Sequence, residues 1–202
     1  MYLVLIAGLP ATGKSGFAEY AGKALGLPLI CKDSIKEILF DRVGFKSHEE
    51  KTRLNYASFD IMLYAARQML LRGDSVALEN NFEHYTEGPL RELIAASGCT
   101  PITVRFGGDV AVIYQRYVAR NADPRRHRGH VLSDRYPETE NIGHIPPPIS
   151  FERFRDDFRA RGMSDFDVGG DCIDVDTTDF SKVDYDAILG QVRALMGKGD
   201  GL

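Results

Sequence analysis

The sequence predicts a single α/β domain in which five parallel strands form a sheet between two layers of helices. The chain has 202 residues, of which 44% are hydrophobic, and this is enough for one domain with a sizeable core. Short apolar runs alternate with helical patterns along the chain. The first run, residues 2–7, has no polar alternation, which is typical of a strand covered on both faces. Such alternation favours parallel strands joined by helices.

The first strand leads through a loop into a helix over residues 14–25, whose apolar positions lie on one side and whose end Gly26 can cap. A second strand is predicted at residues 27–31. Ser34 and Glu37 then have capping-box spacing, which predicts the start of the next helix.

A long helix rich in Leu, Ala, Met and Tyr is predicted over residues 48–72, and Gly73 ends it. The third strand follows at residues 75–79. Pro89 is expected in the first turn of a helix that runs to Ser97, because the missing N–H of proline costs nothing there.

The second half of the chain begins with a fourth strand at residues 101–106 and a helix at 109–120. Residues 121–135 are basic without strong periodicity, and the prolines of residues 136–150 exclude a regular helix there. The remaining predicted elements are a helix at 151–161, a fifth strand at 172–176 and a closing helix at 183–196.

The composition excludes several classes of protein. A net charge of -4 disfavours a surface devoted to binding polyanions, although a local basic groove remains open. Residues 1–8 lack the features of a secretory leader, and no run approaches the roughly 18 apolar residues of a membrane span, so we expect a cytoplasmic protein. Cys31, Cys99 and Cys172 are too few and too widely spaced for a disulfide framework or a metal site, and we expect them in the core.

Residues 8–15 match the phosphate-binding pattern G-x-x-x-x-G-K-[ST] between a predicted strand and a predicted helix. Glycines let successive backbone N–H groups face phosphate oxygens, and the helix N-terminus favours the same anion. Lys14 is expected to reach the β- and γ-phosphates, and Ser15 to bind Mg²⁺. The alternative is a glycine-rich turn that only joins strand to helix. The residues expected to bind ATP in this P-loop are Gly8, Ala11, Thr12, Gly13, Lys14, Ser15 and Gly16.

Several motifs together resemble the zeta-toxin and polynucleotide-kinase-like group of P-loop kinases. They are the loop at 8–15, Asp33 after the second strand, the strand end at 78–82, the arginine-rich segment, and Asp176-Thr177-Thr178. The resemblance implies the three-layer P-loop NTPase sandwich with an arginine-rich lid. Where the group has an arginine three residues after the acid, this chain has Lys36, a point charge that lacks the bidentate fork of arginine.

By this resemblance Asp33 orients or deprotonates the acceptor hydroxyl, and Lys36 helps to bind the substrate. Asp33 could instead cap a helix, but Ser34 and Glu37 already supply a cap. Glu79 and Asn81 are expected to face the substrate, and Glu79 could also face Mg²⁺. Their alternatives are a solvated charge at a strand end and a turn residue.

Six arginines lie between residues 116 and 135, with His127 and His130 among them. A charge run is often only a solvated face. Beside a phosphate loop, the resemblance implies a lid over residues 116–135 whose arginines stabilise the phosphoryl group in transfer. Arg116 is expected to contact the nucleotide. The expected catalytic lid residues are Arg120, Arg125 and Arg126.

The sequence therefore predicts one kinase domain over residues 1–202, with an excursion from the sheet at 136–170. It would transfer the γ-phosphoryl group of Mg-ATP to a hydroxyl of a small molecule. The alternatives are a kinase of 5′-hydroxyl polynucleotide ends, which the acidic charge balance disfavours, and an ATP-binding switch without an acceptor. No N-K-x-D motif for guanine follows a strand. The sequence indicates no membrane partner and no particular oligomeric state.

Overall fold

The computed structural model describes residues 1–140 and 143–198 of the chain. Residues 141–142 of the predicted excursion and 199–202 of the predicted domain lie outside the described residues. The strands are β1 (Tyr2–Gly8), β2 (Leu29–Cys31), β3 (Val76–Glu79), β4 (Thr100–Gly107) and β5 (Asp171–Asp176). The α-helices are α1 (Lys14–Leu25), α2 (Lys32–Val43), α3 (His48–Leu71), α4 (His84–Ser97), α5 (Val110–Ala122), α6 (Arg128–Val131), α7 (Phe151–Ala160) and α8 (Tyr185–Lys198), and a 3₁₀ turn spans Phe180–Lys182.

The five strands form one parallel sheet in the order β2-β3-β1-β4-β5. Strand β1 is central, and all of its residues are buried. Leu3 and Leu5 face a core formed with α3 and α4, whereas Val4 and Ile6 face a core formed with α1 and α8. This alternation between two cores confirms the predicted three-layer α/β fold, because both faces of the sheet are covered.

The predicted start of α2 is wrong. Pairing of β2 with β3 continues to Cys31, and α2 begins at the next residue, Lys32. Strand and helix are therefore joined without a loop, and Ser34 lies inside the helix rather than at its cap. Asp33 lies in the first turn, where a carboxylate is favoured by the helix dipole.

The predicted place of Pro89 is also wrong. Helix α4 starts at His84, so Pro89 lies inside the helix rather than in its first turn. A cap explains the earlier start, since the backbone N–H of Glu83 donates a hydrogen bond of 3.1 Å to the Thr86 hydroxyl. That cap fixes the first turn before the proline is reached.

The three cysteines differ in their burial. Cys99 is buried, but Cys31 is only half-buried and Cys172 is exposed, so the three cysteines are not all core residues. No helix in residues 1–140 or 143–198 combines the length and apolar character that a membrane crossing requires.

Candidate active site

The loop between β1 and α1 has the backbone conformation of an anion-binding turn. Gly8 has a φ of 122°, and a Cβ there would lie 1.9 Å from the carbonyl oxygen of Phe106 on the neighbouring strand. Gly13, the N-cap of α1, is left-handed and offers no side chain to the N–H groups of the first turn. Ala11 is also left-handed, with a φ of 62°, a conformation that costs a non-glycine residue about 1–3 kcal/mol. The exposed N–H groups of the α1 terminus therefore suit a phosphate.

Lys14 is folded back over this loop. Its ammonium donates a hydrogen bond of 2.6 Å to the carbonyl of Leu9, which also accepts one of 2.7 Å from the Thr12 hydroxyl. Only 5% of Lys14 is exposed. Burial lowers the pKa of Lys14 to about 8, although the nearby carboxylates of Glu79 and Asp33 oppose that shift. An anion in the loop would oppose this lowering of the pKa, because it favours the charged form.

Glu79 and Ser15 place two oxygen donors side by side at the carboxyl edge of the sheet. The Ser15 hydroxyl lies 3.4 Å from Oε1 of Glu79, which is the last residue of β3 and is buried. Burial raises the pKa of Glu79. In the part of the chain that the structure describes, no group of three or more His, Cys, Asp or Glu residues could hold a metal ion. Two protein oxygens nevertheless suit Mg²⁺, which commonly takes its remaining ligands from phosphates and water.

Asp33 faces the phosphate loop from the first turn of α2. Lys36 Nζ lies 2.9 Å from one carboxylate oxygen, and Arg126 Nη2 lies 3.9 Å from the other. Burial tends to raise the pKa of Asp33, but the positive charge and hydrogen bond of Lys36, together with the positive charge of Arg126, outweigh it and hold that pKa far below its usual range. Asp33 is therefore a carboxylate at any working pH.

One cavity of about 360 Å³ brings these groups together. It contains most of the residues predicted for ATP and substrate binding. Gly8 and Lys36 do not line the cavity, and Lys36 is linked to the site through its contact with Asp33. The lining consists of Ala11, Thr12, Gly13, Lys14, Ser15, Gly16, Asp33, Glu79, Asn81, Arg116, Arg120 and Phe180.

The arginines of the predicted lid divide into two sets. Arg116 and Arg120 project from α5 into the cavity, and Arg126 approaches Asp33. The structure does not bring Arg125 to the cavity: its guanidinium pairs with Asp123 at 2.6 Å, and 89% of its side chain is exposed. The side chains of Arg125 and Arg126 therefore point in different directions, because the ion pair with Asp123 keeps Arg125 at the surface.

A second cavity of about 670 Å³ shares Thr12, Gly13 and Phe180 with the first. Arg116 lies 3.8 Å above the centre of the Phe180 ring, and its guanidinium donates a hydrogen bond of 2.8 Å to the Thr178 carbonyl. Sequence reasoning missed Phe180, because a lone aromatic after the fifth strand has no distinguishing motif. It also missed the tyrosines at positions 20 and 185, which line this cavity.

Residues 126–136, which are the end of the predicted lid and the first residue of the predicted excursion, pack against α2. His130 Nε2 lies 2.8 Å from Glu37, and Phe45 exchanges backbone hydrogen bonds of 2.8 Å with Tyr136. Between these contacts Gly129 lies directly against the buried ring of Phe40. The segment is therefore packed against the helix that presents Asp33, rather than standing free.

No family model matches the chain, and no curated protein shows significant similarity to it. Solved structures do resemble it. A protein of Chloroflexus aurantiacus J-10-fl, provisionally described as a kinase, is 26% identical with a TM-score of 0.77 over 98% of this chain and 97% of that one. Shikimate kinase of Aquifex aeolicus VF5 is 14% identical with a TM-score of 0.52 over 100% of both chains. A gluconokinase of Sinorhizobium meliloti 1021 is 16% identical with a TM-score of 0.51 over 98% of this chain and 91% of that one.

These structures share their fold with the chain described above. The fold is therefore that of the P-loop kinases, with a five-stranded parallel sheet and the phosphate loop after β1. The narrower resemblance to the zeta-toxin and polynucleotide-kinase-like group is not confirmed by these neighbours.

Proposed function

We propose that this protein is a kinase that transfers the γ-phosphoryl group of Mg-ATP to a hydroxyl group of a small molecule. The observation that carries the proposal is a single cavity lined both by the phosphate loop and by the carboxylate of Asp33. The neighbouring structures support it, because they are described as kinases, and two of them are named for the small molecules gluconate and shikimate.

The phosphates of ATP would bind at the N-terminus of α1, where unpaired N–H groups and the helix dipole favour an anion. Lys14, Arg116 and Arg120 line the same cavity and supply positive charge around it. These fixed charges would stabilise the phosphoryl group as negative charge is redistributed in the transition state.

Mg²⁺ fits beside Ser15 and Glu79, whose oxygens lie 3.4 Å apart. Held there with the nucleotide phosphates, the ion would neutralise charge on the β- and γ-phosphates. Burial raises the pKa of Glu79, and the positive charge of Lys14 opposes that shift and favours the deprotonated form that would bind the ion.

The second cavity has room for the base of the nucleotide. Phe180 is 46% exposed, so one face of its ring is available for stacking. Because this cavity shares Thr12 and Gly13 with the phosphate cavity, a nucleotide could span both. We therefore assign the base to the Phe180 side and the triphosphate to the loop.

The acceptor would enter at the Asp33 end. Its hydroxyl oxygen forms a bond to the γ-phosphorus, the bond from that phosphorus to the bridging oxygen breaks, and ADP leaves with the electron pair. Asp33 accepts the hydrogen bond, and finally the proton, of the hydroxyl. Because its pKa is held so low, orientation of the hydroxyl is its main contribution, as in phosphoryl transfer generally.

ADP release from Mg-ATP, measured with pooled sugars, nucleosides, aminoglycosides and 5′-hydroxyl oligonucleotides, tests the proposal. We expect a small-molecule pool to stimulate release. Lys14→Ala should abolish turnover, and Asp33→Asn should keep ATP binding while transfer falls by about 100-fold or more. Lys23→Ala, an exposed change on the same helix as Lys14, is the matched control. Full turnover by Lys14→Ala would refute the assignment of the loop.

The same assay separates the two alternatives. Stimulation by oligonucleotides alone would identify a kinase of 5′-hydroxyl ends. ATP binding that depends on Lys14 but gives no stimulation with any pool would favour a non-catalytic switch.

A further inference from the structure

Positive charge exceeds negative charge around Asp33. Lys36 and Arg126 both approach its carboxylate, at 2.9 and 3.9 Å. Two more lysines lie nearby and bond only to neutral groups. Lys32 Nζ donates to the Asn55 side chain at 2.9 Å, and Lys51 Nζ donates to the backbone carbonyls of residues 130 and 132.

Lys32 is buried, whereas Lys36, Lys51 and Arg126 are half-buried, and the four positive charges repel one another. Lys32 is 3% exposed. Burial lowers the pKa values of Lys32 and Lys51 to about 8, and in both cases the positive charge of Lys36 adds to the effect. Buried charges without counter-ions are costly, so this arrangement favours the binding of an anion.

The guanidinium of Arg126 has a buried N–H donor, Nε, that lacks an acceptor within the described residues. The separation of 3.9 Å from Asp33 is too long for a hydrogen bond. Buried donors of this kind are rare and call for a partner.

The nearby carboxylates are already engaged. Glu37 lies 2.8 Å from His130, and Glu83 accepts a hydrogen bond of 2.8 Å from Arg161. The triphosphate has its own set of cations at the other end of the cavity. The unsatisfied charge therefore belongs to the acceptor end of the site.

We propose that the acceptor carries an anionic group, a carboxylate or a phosphate, in addition to the hydroxyl that is phosphorylated, and that Arg126 and Lys36 bind this group. The proposal rests on the proposed kinase function and adds the chemical class of the acceptor. Arginine matches the planar arrangement of carboxylate and phosphate oxygens, and lysine adds a point charge beside it.

Binding of three probes with one carbon skeleton, namely glycerol, glycerate and glycerol 3-phosphate, tests this. Calorimetric titrations at constant ionic strength would use protein saturated with Mg²⁺ and a non-hydrolysable ATP analogue, so that the phosphate loop is filled. We expect the anionic probes to bind at least about 10-fold more tightly than glycerol, and the tighter of the two identifies carboxylate or phosphate as the preferred group. Arg126→Gln should weaken the anionic probes by about 10- to 100-fold, as expected for a lost charge-assisted hydrogen bond.

Arg42→Gln is the matched control, because it removes one positive charge from an exposed position on α2, and it should bind the probes as wild type does. Should Arg126→Gln not fold, Lys36→Gln takes its place. Equal binding of glycerol and both anions, or unchanged binding in the variant, would overturn the proposal. Failure to bind the ATP analogue would instead count against the kinase function itself, so the two failures are distinguishable.

Discussion

Replacing Gly129 by alanine should disturb the packing of residues 126–136 against α2. A Cβ at this position would lie 2.3 Å from Cδ2 and 2.8 Å from Cγ of Phe40, whereas ordinary contact begins at 3.4 Å. Phe40 is fully buried and packs against Phe45 with ring centres 5.3 Å apart, so a shift of about 1 Å is needed in a filled core. Overpacking of this kind costs about 1–3 kcal/mol.

The loss of stability in Gly129→Ala should depend on the ring of Phe40. Phe40→Ala removes the ring atoms that the new methyl group strikes, so the double variant should be more stable than the sum of the two single effects predicts. Contacting residues commonly show coupling energies of about 0.5–3 kcal/mol. Transfer should fall as well, because Arg126 lies on the same segment and a displacement of about 1 Å can cost on the order of 100-fold in rate.

Urea unfolding gives the free energies, and ADP release gives the rates. Gly190→Ala is the control, since Gly190 lies in α8 with nothing within 4 Å of a new Cβ. It should stabilise the protein by about 0.5–1 kcal/mol. If Gly129→Ala were as stable as wild type, or if the double variant were additive, the described contact would not exist.

Three further predictions follow from the site. Affinity for ATP should fall by up to about tenfold per pH unit above pH 8, because the free protein loses the Lys14 proton with a pKa of about 8. Binding titrations between pH 7 and 9.5 check this, and an affinity that does not change with pH would contradict it. Phe180→Ala should weaken ATP by about 5- to 100-fold through lost stacking while inorganic triphosphate binds unchanged; equal losses for both would place the base elsewhere. Burial lowers the pKa of His130 from 6.5 to about 4, so its imidazole is neutral in the folded protein at neutral pH. Acidification from pH 6.5 to 4 should therefore lower the free energy of unfolding by up to about 3 kcal/mol. An equal loss in His130→Gln would refute this.

The fold was largely predictable because its signals are local. An apolar run without alternation indicated a strand buried on both faces, and β1 lies at the centre of the sheet. The turn between β1 and α1 was predictable for a similar reason, since glycine spacing reflects backbone conformation and needs no knowledge of distant residues. Helix starts were less predictable: a capping pattern at Ser34 competed with strand pairing that carries β2 directly into α2, and the pairing prevailed.

The directions of side chains could not be predicted where tertiary contacts decide them. Arg125 and Arg126 are adjacent and chemically identical, yet only Arg126 approaches Asp33, because Asp123 holds its neighbour at the surface. The position of Phe180 in the cavity could not be predicted, because only the fold brings the chain after β5 beside the loop between β1 and α1. The charge excess at Asp33 likewise combines residues from α2, α3 and the lid.

Strands β4 and β5 are neighbours in the sheet, although α5, α6 and α7 lie between them in the chain. The two strands pair in parallel from Ile102 with Asp171 to Gly107 with Asp176, so the chain between them leaves the sheet at its carboxyl edge and returns to the amino edge of the neighbouring position. An insertion or deletion in the residues after α5 can therefore be accommodated without moving β1 or its loop. Under the proposed function, such changes would alter which acceptor is chosen and leave the proposed ATP site in place.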